Sequence, residues 1–214
     1  MKKTTYLIFG LLLIVTSITS FALEIGALGG VNFLSYKLTE GSDLPSGTKI
    51  SGSSGQGITG GLYFSQSITP LLSLELETLY SQEQTKYTVE YKTISTKSTQ
   101  KTTHLQVPLL IRVWPTLSLF NIGIGGYWSS GIGNAKTDKD DGTSLDQTYT
   151  DAGLNRIDYG AIASIQFAPK IAPKIRLVLD GRYLYGTKQQ SNDLASMSLK
   201  TREIQAVGGI GIDL

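Results

Sequence analysis

The segment KIRLVLDGRYLYGT (174–187) alternates between two kinds of side chain. Its odd-numbered positions include Ile175, Leu177, Leu179, Tyr183 and Tyr185, and its even-numbered positions include Arg176, Asp180 and Arg182. A period of two predicts a β-strand with one apolar face. Because inverting the two faces leaves the pattern unchanged, the segment alone does not say whether the apolar face turns toward a protein core or toward lipid. The rest of the sequence has to decide which face is outside.

The first residues have the composition of an export signal. Lys2 and Lys3 precede an apolar run at 6–15, a small and polar stretch follows at 16–20, and Ala22 stands at a suitable cleavage site. We expect a cleaved signal peptide over 1–22 and a mature domain over 23–214. A single-span anchor is the alternative, but the apolar run is shorter than the roughly 20 residues that a membrane-spanning helix needs.

The mature domain has balanced charge and lacks cysteine. Loss of Lys2 and Lys3 lowers the 19 basic residues to 17, which equals the number of acidic residues. The sequence pI of 8.6 therefore gives no argument for a nucleic-acid partner. Without cysteine, disulfides and cysteine-ligated metals are excluded, so the domain must be held together by packing and hydrogen bonds.

Alternating segments recur along the whole mature chain. Eight are predicted as strands, at 23–35, 57–67, 71–83, 102–113, 117–131, 156–168, 174–186 and 200–214. Tight connections at 67–70, 114–116 and 169–173 alternate with long polar ones at 36–56, 84–101, 134–155 and 187–198. Short turns at one end and long loops at the other are typical of outer-membrane barrels. We therefore predict an all-β fold, an eight-stranded antiparallel up-and-down transmembrane β-barrel.

Glycine and arginine indicate that the polar face is a crowded interior. Eight glycines share the polar parity of their strands: Gly26, Gly30, Gly61, Gly123, Gly125, Gly160, Gly209 and Gly211. A solvated face has room for long side chains, whereas the inside of a narrow barrel does not. Nearly all lysines fall in loops, turns or strand ends, while polar strand positions favour arginine, whose forked guanidinium satisfies buried carboxylates.

Aromatic residues on the apolar parity fall into two groups. Those toward the long-loop ends are Phe33, Tyr80, Trp128, Tyr183 and Tyr185, and those toward the short turns are Phe64, Phe120 and Phe167, with Trp114 at a turn. Two aromatic belts around an aliphatic band match the interfacial girdles of a membrane barrel. The alternative is a soluble sandwich or a lipocalin-like binding barrel with the aromatic residues in its core.

Inward charges are expected to pair, because an isolated ion in a dry interior costs several kcal/mol. The predicted lumen network consists of Glu75, Glu77, Arg112, Asp158, Arg176, Asp180, Arg182 and Glu203. We expect Glu75 and Glu77 to face Arg112, and Asp158 to face Arg176, Asp180 or Arg182. We interpret the network as structural filling of the lumen; a narrow channel lined by the same groups is the alternative.

We predict no catalytic, cofactor or metal site. His104, the single histidine, shares the lumen parity of Gln106 and Arg112, whereas a lipid-modifying hydrolase would need an outward-facing base beside a serine. The acidic stretch DKDDG (138–142) departs from the spacing of a calcium loop. The glycines of GIGGYW (123–128) lack the strand-to-helix context of a nucleotide site.

Four stretches carry a family resemblance: HLQVPLLIRV (104–113), DYGAIASIQF (158–167), IRLVLDGRYLYG (175–186) and VGGIGIDL (207–214). They are similar to segments of the PorT-like outer-membrane β-barrel proteins of Gram-negative bacteria. The resemblance extends over essentially the whole mature chain and implies a small monomeric barrel that the barrel-assembly machinery inserts into the outer membrane. The terminal strand of such proteins usually ends in an aromatic residue, whereas this chain ends in Leu214.

The expected role is structural or interactive. A rigid barrel would display four polar loops, and loops on a rigid scaffold commonly carry function. The expected partners are outer-membrane lipids and lipopolysaccharide, the barrel-assembly machinery, and an extracellular or envelope protein.

Overall fold

The computed structural model describes residues 22–39, 48–91, 94–115, 119–152, 154–192 and 197–214. It contains β1 (Leu23–Thr39), β2 (Thr48–Thr69), β3 (Leu72–Tyr91), β4 (Ile94–Val113), β5 (Phe120–Gly131), β6 (Ala135–Lys139), β7 (Ser144–Gln147), β8 (Ile157–Phe167), β9 (Lys170–Ala172), β10 (Ile175–Asn192) and β11 (Met197–Asp213). Apart from Ala22, the predicted signal peptide lies outside the described residues.

Eight of these strands form a closed antiparallel ring in the order β1, β2, β3, β4, β5, β8, β10 and β11. The ring closes where β11 pairs with β1, in a continuous register from Glu24 opposite Asp213 to Thr39 opposite Ser198. Closure pairs the ladder of every ring strand on both sides, as a hydrocarbon environment requires. The predicted eight-stranded antiparallel barrel is confirmed.

The remaining three strands are short. The β6–β7 hairpin continues the sheet beyond the end of β5, because β6 pairs with residues Ser98 to Lys101 of β4. β9 pairs with the start of β10 in the turn that follows β8. We call the end of the barrel with the tight turns the short-turn end, and the opposite end the long-loop end.

The predicted limits of four strands were wrong at the long-loop end, since β10 continues to Asn192 rather than 186 and three further strands also differ. β2 begins at Thr48 rather than near 57, β3 continues to Tyr91 rather than 83, and β4 begins at Ile94 rather than 102. The segment 84–101 is therefore largely a paired hairpin and not an irregular loop. Threonine, tyrosine and valine in TKYTVEY (85–91) favour strands, and each added pair extends a ladder that already exists.

The two faces of the strands have the predicted sidedness. Ile124 and Leu179 are 58% and 49% exposed on the outer wall, whereas Arg182 is 2% exposed inside the ring. Leu177 and Tyr183 share the outward parity of Leu179. A soluble barrel would place these aliphatic side chains inside, so the lipocalin-like alternative is wrong.

Aromatic side chains form the two expected belts on the outer wall. Tyr80, Trp128 and Tyr183 are exposed toward the long-loop end, and Phe64 and Phe120 are exposed toward the short turns. Within the described part of the chain, no helix is long and apolar enough to cross a membrane.

Inward glycines make room for larger side chains. A Cβ atom on Gly26 would lie 2.3 Å from the ring of Tyr63, and one on Gly123 would lie 2.5 Å from Ser164 Oγ and 3.1 Å from Arg112. The lumen is therefore filled by side chains that approach bare backbone.

The sidedness predicts a depth-dependent effect of charge on the outer wall. Ile124 lies midway between Phe120 and Trp128 on the outward face of β5. Ile124→Arg should therefore lower the free energy of unfolding by about 2–4 kcal/mol, as arginine does at the bilayer midplane. Urea titration in lipid vesicles measures this loss.

Ser130→Arg is the matched control, because Ser130 is on the same face of β5 beyond Trp128. Its expected cost is about 0–1 kcal/mol, since the interface tolerates arginine. Equal costs at the two positions would contradict the membrane placement.

Candidate functional site

Arg112 is the centre of the charged part of the lumen. Its fully buried guanidinium donates from Nη2 to Glu75 Oε1 at 2.6 Å and to Asp180 Oδ2 at 2.7 Å. Its Nη1 donates to Asn121 Oδ1 at 2.9 Å and to Ser164 Oγ at 3.0 Å. Together with Arg112 on β4, these partners come from β3, β5, β8 and β10. One side chain therefore ties five strands of the ring together.

Arg182 spans the lumen. Its Nη1 and Nη2 donate to the two carboxylate oxygens of Glu77, at 2.5 and 2.8 Å, in the bidentate geometry that makes the strongest ion pairs. Because β10 and β3 are not neighbours in the ring, this pair crosses the interior. The Nε of Arg182 donates at 2.9 Å to Asp180 Oδ2, which also accepts from Arg112. The two arginines thus form one network.

The predicted partners of Arg112 are only partly those in the structure. Glu75 is hydrogen-bonded to Arg112 as expected. Glu77 lies 3.8 Å from Arg112 Nη2, but its hydrogen bonds are with Arg182. Sequence reasoning paired neighbouring strands and did not anticipate the pair across the lumen.

The predicted pairing of Asp158 with an arginine of β10, or with Asp180, is wrong. Arg182 stands opposite Ser164 on β8, and Asp180 stands opposite Gln166. Asp158 is six residues beyond Ser164 toward the long-loop end, where its Oδ2 accepts a hydrogen bond from Tyr127 Oη at 3.1 Å. The antiparallel register therefore separates Asp158 from the arginines, although all of them point inward.

Arg176 lies at the short-turn end of the lumen. Its Nε donates to Glu24 Oε2 at 2.8 Å, and its guanidinium carbon lies 5.0 Å from the ring centroid of Trp114. The hydroxyl of Tyr63 donates to the other oxygen of Glu24 at 2.5 Å. Sequence reasoning missed Glu24, although Glu24 shares the inward parity of Gly26 and a closed ring brings β1 near β10 through β11.

Glu203 is bound by amides rather than by arginine. Gln205 Nε2 donates to Glu203 Oε1 at 2.8 Å, and Gln106 Nε2 donates to Glu203 Oε2 at 3.3 Å from β4, across the lumen. Gln205 Nε2 also donates to Gln106 Oε1 at 2.9 Å. The charged residues were predicted to form one network, but in the structure they form separate groups at different levels along the barrel axis.

Apolar side chains fill the space between the polar groups. One buried cluster consists of Leu28, Tyr63, Leu79 and Val178, and a second consists of Leu110, Tyr127, Ile162 and Leu184. These residues occupy the inward parity, which sequence reasoning treated as polar. Their signal was an interruption of strict alternation, as at Val178 and Leu184 within the segment 174–187.

A cavity of about 40 Å³ remains in the long-loop half of the lumen. Glu83, Asp158 and Glu203 line it together with His104, whose Nε2 lies 3.7 Å from Glu83 Oε2. Ser81 stands opposite His104 in the register, but it is fully buried and its Oγ accepts a hydrogen bond from Asn32 at 2.8 Å. His104 thus faces the lumen, as its parity predicted, and not the lipid.

Tyr149 closes this cavity from the long-loop end. Its hydroxyl donates to the backbone oxygen of Thr103 at 2.6 Å and accepts from the backbone nitrogen of Thr103 at 3.2 Å. Its ring packs edge-on against His104 and covers Gly131, where a Cβ atom would lie 2.4 Å from the ring. The segment after β7 therefore folds back over the lumen.

The acidic stretch 138–142 forms the turn of the β6–β7 hairpin. Asp138 accepts from Lys101 Nζ and from Ser144 Oγ, both at 2.8 Å, and these hydrogen bonds lower the pKa of the Asp138 carboxyl. Asp141 accepts from the backbone nitrogen of Thr143 at 2.8 Å, which lowers its pKa as well. No group of three or more acidic or histidine side chains suited to a metal ion occurs among the residues that the structure describes.

A groove of about 650 Å³ lies on the outer wall at the long-loop end. We call it the outer groove; its lining includes Val31, Phe33, Ile58, Gln84, Lys101 and Lys136. Apolar side chains of β1 and β2 thus adjoin polar and basic side chains of β3, β4 and β6. Sequence reasoning did not find this groove, because strand register decides which residues of β1, β2, β3, β4 and β6 lie side by side.

An eight-stranded ring with an aliphatic outer wall and a charged lumen defines a small membrane barrel. The chain belongs to the family of outer membrane protein beta-barrel domains, whose family model matches residues 20–189. It is therefore a bacterial outer-membrane protein. The short-turn end is periplasmic and the long-loop end extracellular, as in barrels of this class.

A solved outer-membrane barrel supports the fold. The outer membrane protein OprG from Pseudomonas aeruginosa is 14% identical, with a TM-score of 0.52, and the match covers 91% of this chain and 97% of OprG. Neisserial surface protein A matches with 15% identity and a TM-score of 0.48, covering 90% and 97% of the two chains. Ail of Yersinia pestis, in complex with the heparin analogue sucrose octasulfate, matches with 11% identity and a TM-score of 0.45, covering 90% and 100%. No curated protein matches this chain.

The pair of Arg182 and Glu77 should show strong energetic coupling. Arg182→Met alone is expected to lower the free energy of unfolding by about 3–5 kcal/mol, because it leaves buried carboxylates without their cation. The double variant Arg182→Met with Glu77→Met should cost clearly less than the sum of the two single variants. Urea unfolding in vesicles, analysed as a double-mutant cycle, measures the coupling.

The exposed pair of Lys101 and Asp138 provides the control cycle, since both side chains are more than 40% accessible. Its coupling should be far weaker than that of the buried pair, because solvent screens an exposed ion pair. Additive costs for Arg182 and Glu77 would contradict a direct ion pair across the lumen.

Proposed function

We propose that this protein is a non-conducting barrel that acts through its extracellular surface. The observation that carries the proposal is the network of Arg112, Arg182 and Asp180, which joins opposite sides of the lumen with fully buried side chains. Apolar clusters occupy further parts of the interior. A lumen filled in this way supports a structural role for the inward charges and disfavours the narrow channel.

The extracellular part of the sheet supports an interaction role. β3 continues eleven residues beyond Tyr80 of the aromatic belt, to Tyr91, and β4 accompanies it. At about 3.3 Å per residue, the extension amounts to roughly 35 Å along the strand. The β6–β7 hairpin widens the same sheet. A paired sheet presents a more rigid surface than loops would, and an extracellular or envelope protein is the partner class that we propose for it.

Three further parts of the proposal concern origin and assembly. We propose a PorT-like barrel within the established family, with cleavage of the signal peptide after Ala22 and insertion by the barrel-assembly machinery. The resemblance of segments such as HLQVPLLIRV (104–113) and VGGIGIDL (207–214) supports the first part. The charge and apolar pattern of 1–22 supports the second.

We propose that this protein is not an enzyme. A hydrolase acting on membrane lipid would need a nucleophile and a base on the outer wall. His104 lies instead in the lumen beneath Tyr149, and its neighbour Ser81 is fully buried. This arrangement favours a structural role for His104.

Planar-bilayer recordings test the filled lumen. The purified mature protein should give no large stable conductance, because the arginine network leaves no continuous path for ions. Heat-modifiable gel mobility of the same preparation checks that the barrel is folded. A trimeric porin, recorded in the same bilayers, verifies that inserted channels are detected. Stable open currents from folded protein would contradict the proposal and favour the channel.

A further inference from the structure

The outer groove lies along one row of directly paired residues. Phe33 stands opposite Gln56, Gln56 opposite Gln84, Gln84 opposite Lys101, and Lys101 opposite Lys136. The row crosses β1, β2, β3, β4 and β6, and its side chains point outward. An aromatic ring therefore stands at one end of the groove and two ammonium groups at the other.

The basic end lies at the level of lipid headgroups. Tyr80 of the extracellular aromatic belt stands opposite Leu105 on β4. Lys101 is four residues beyond Leu105, about 13 Å along the strand at roughly 3.3 Å per residue. Because aromatic belts mark the boundary of the hydrocarbon, Lys101 and Lys136 stand just outside it, where anionic groups of the outer leaflet are found.

Among the residues that the structure describes, only one of the two lysines forms a close ion pair. Like charges directly opposite each other on a sheet are destabilising. Asp138 bonds Lys101 at 2.8 Å in a solvent-exposed pair. Asp146 stands opposite Lys136 on β7, but among the described residues Lys136 forms no ion pair within 4.0 Å. An anion between the two ammonium groups would relieve their repulsion.

A track for an acyl chain continues from the groove toward the hydrocarbon. Val31 and Ile58 are opposite each other and are 42% and 60% exposed. Two residues closer to the periplasm, Gly29 and Gly60 are also opposite each other on the outward face. Because neither residue has a side chain, the wall is recessed there, and a Cβ atom on Gly29 would point into open space.

We propose that the outer groove binds a phosphorylated glycolipid of the outer leaflet, with a phosphate between Lys101 and Lys136 and an acyl chain along Ile58, Val31 and Gly29. This inference gives a site to the expected contact with lipopolysaccharide. It depends on the outer-membrane location and not on the filled lumen, so the two proposals fail independently.

Native mass spectrometry of the folded mature protein in detergent tests the phosphate contact. The probe is diphosphorylated lipid A, compared with the same lipid after removal of its phosphates and with inorganic phosphate alone. Lys101→Gln with Lys136→Gln should weaken lipid A binding about tenfold or more, because both cations that would face the phosphate are removed. Lys174→Gln, an exposed lysine in a periplasmic turn, should leave binding unchanged.

A second variant tests the acyl track. Gly29→Leu should fold normally, because the site is open and its φ is not in the left-handed region, yet it should weaken binding of lipid A by filling the recess. Gly181→Leu is the matched control. A Cβ atom on Gly181 would also point outward with no neighbour within 4 Å, but Gly181 lies on β10, away from the groove.

Asp138→Asn should strengthen lipid A binding, because it removes the carboxylate that pairs with Lys101 and leaves this lysine available to the phosphate.

Some results would overturn the proposal. These are equal binding of lipid A with and without phosphate, unchanged affinity after both lysines are replaced, or equal effects of leucine at Gly29 and Gly181. Binding of inorganic phosphate as tight as that of lipid A would show an anion site without a lipid component and would also overturn it.

Discussion

Closure of the strand ring between β1 and β11 is the constraint on which the structure depends. In hydrocarbon an unpaired backbone N–H or C=O costs several kcal/mol, and a ring leaves none along its strands. Closure also gives each strand an outward face and an inward face, which correspond to alternate positions in the sequence. The outward side must be apolar to meet lipid, and an eight-stranded ring is only wide enough for its inward side chains to fill. Those side chains must therefore satisfy one another.

The lumen meets this requirement differently at its two ends. In the periplasmic half, Arg112 and Arg182 each bond more than one carboxylate, so charge is neutralised in place. In the extracellular half, Glu203 accepts hydrogen bonds from amides, and a small cavity remains under Tyr149. The interior is thus a packed support for the wall. It leaves the outer surfaces, the extended sheet and the outer groove, as the places where other molecules can bind.

Sequence periodicity predicted the class of fold and much of the lumen because parity is a local property. The alternation in 174–187 placed Leu179 and Arg182 on opposite faces, and the glycine, arginine and aromatic patterns of the other strands indicated that Leu179 faces outward. The ion-pair partners of the charged lumen residues were predicted less well. Arg182 bonds Glu77 on a strand that is not its neighbour, and Asp158 lies six positions from the residue opposite Arg182. Such contacts depend on strand register and on the width of the ring, which no local pattern contains.

The sequence by itself determined the number of barrel strands, the face that each presents to lipid and the inward position of the charged groups, because alternation and the rhythm of turns are read along the chain. Only the tertiary structure decided which charges meet across the lumen, how far β3 and β4 continue as paired strands, and that Lys101 and Lys136 stand together at one end of the outer groove, with Phe33 at the other. These features depend on strand register and on the width of the closed ring, and alternation along the chain encodes neither of them.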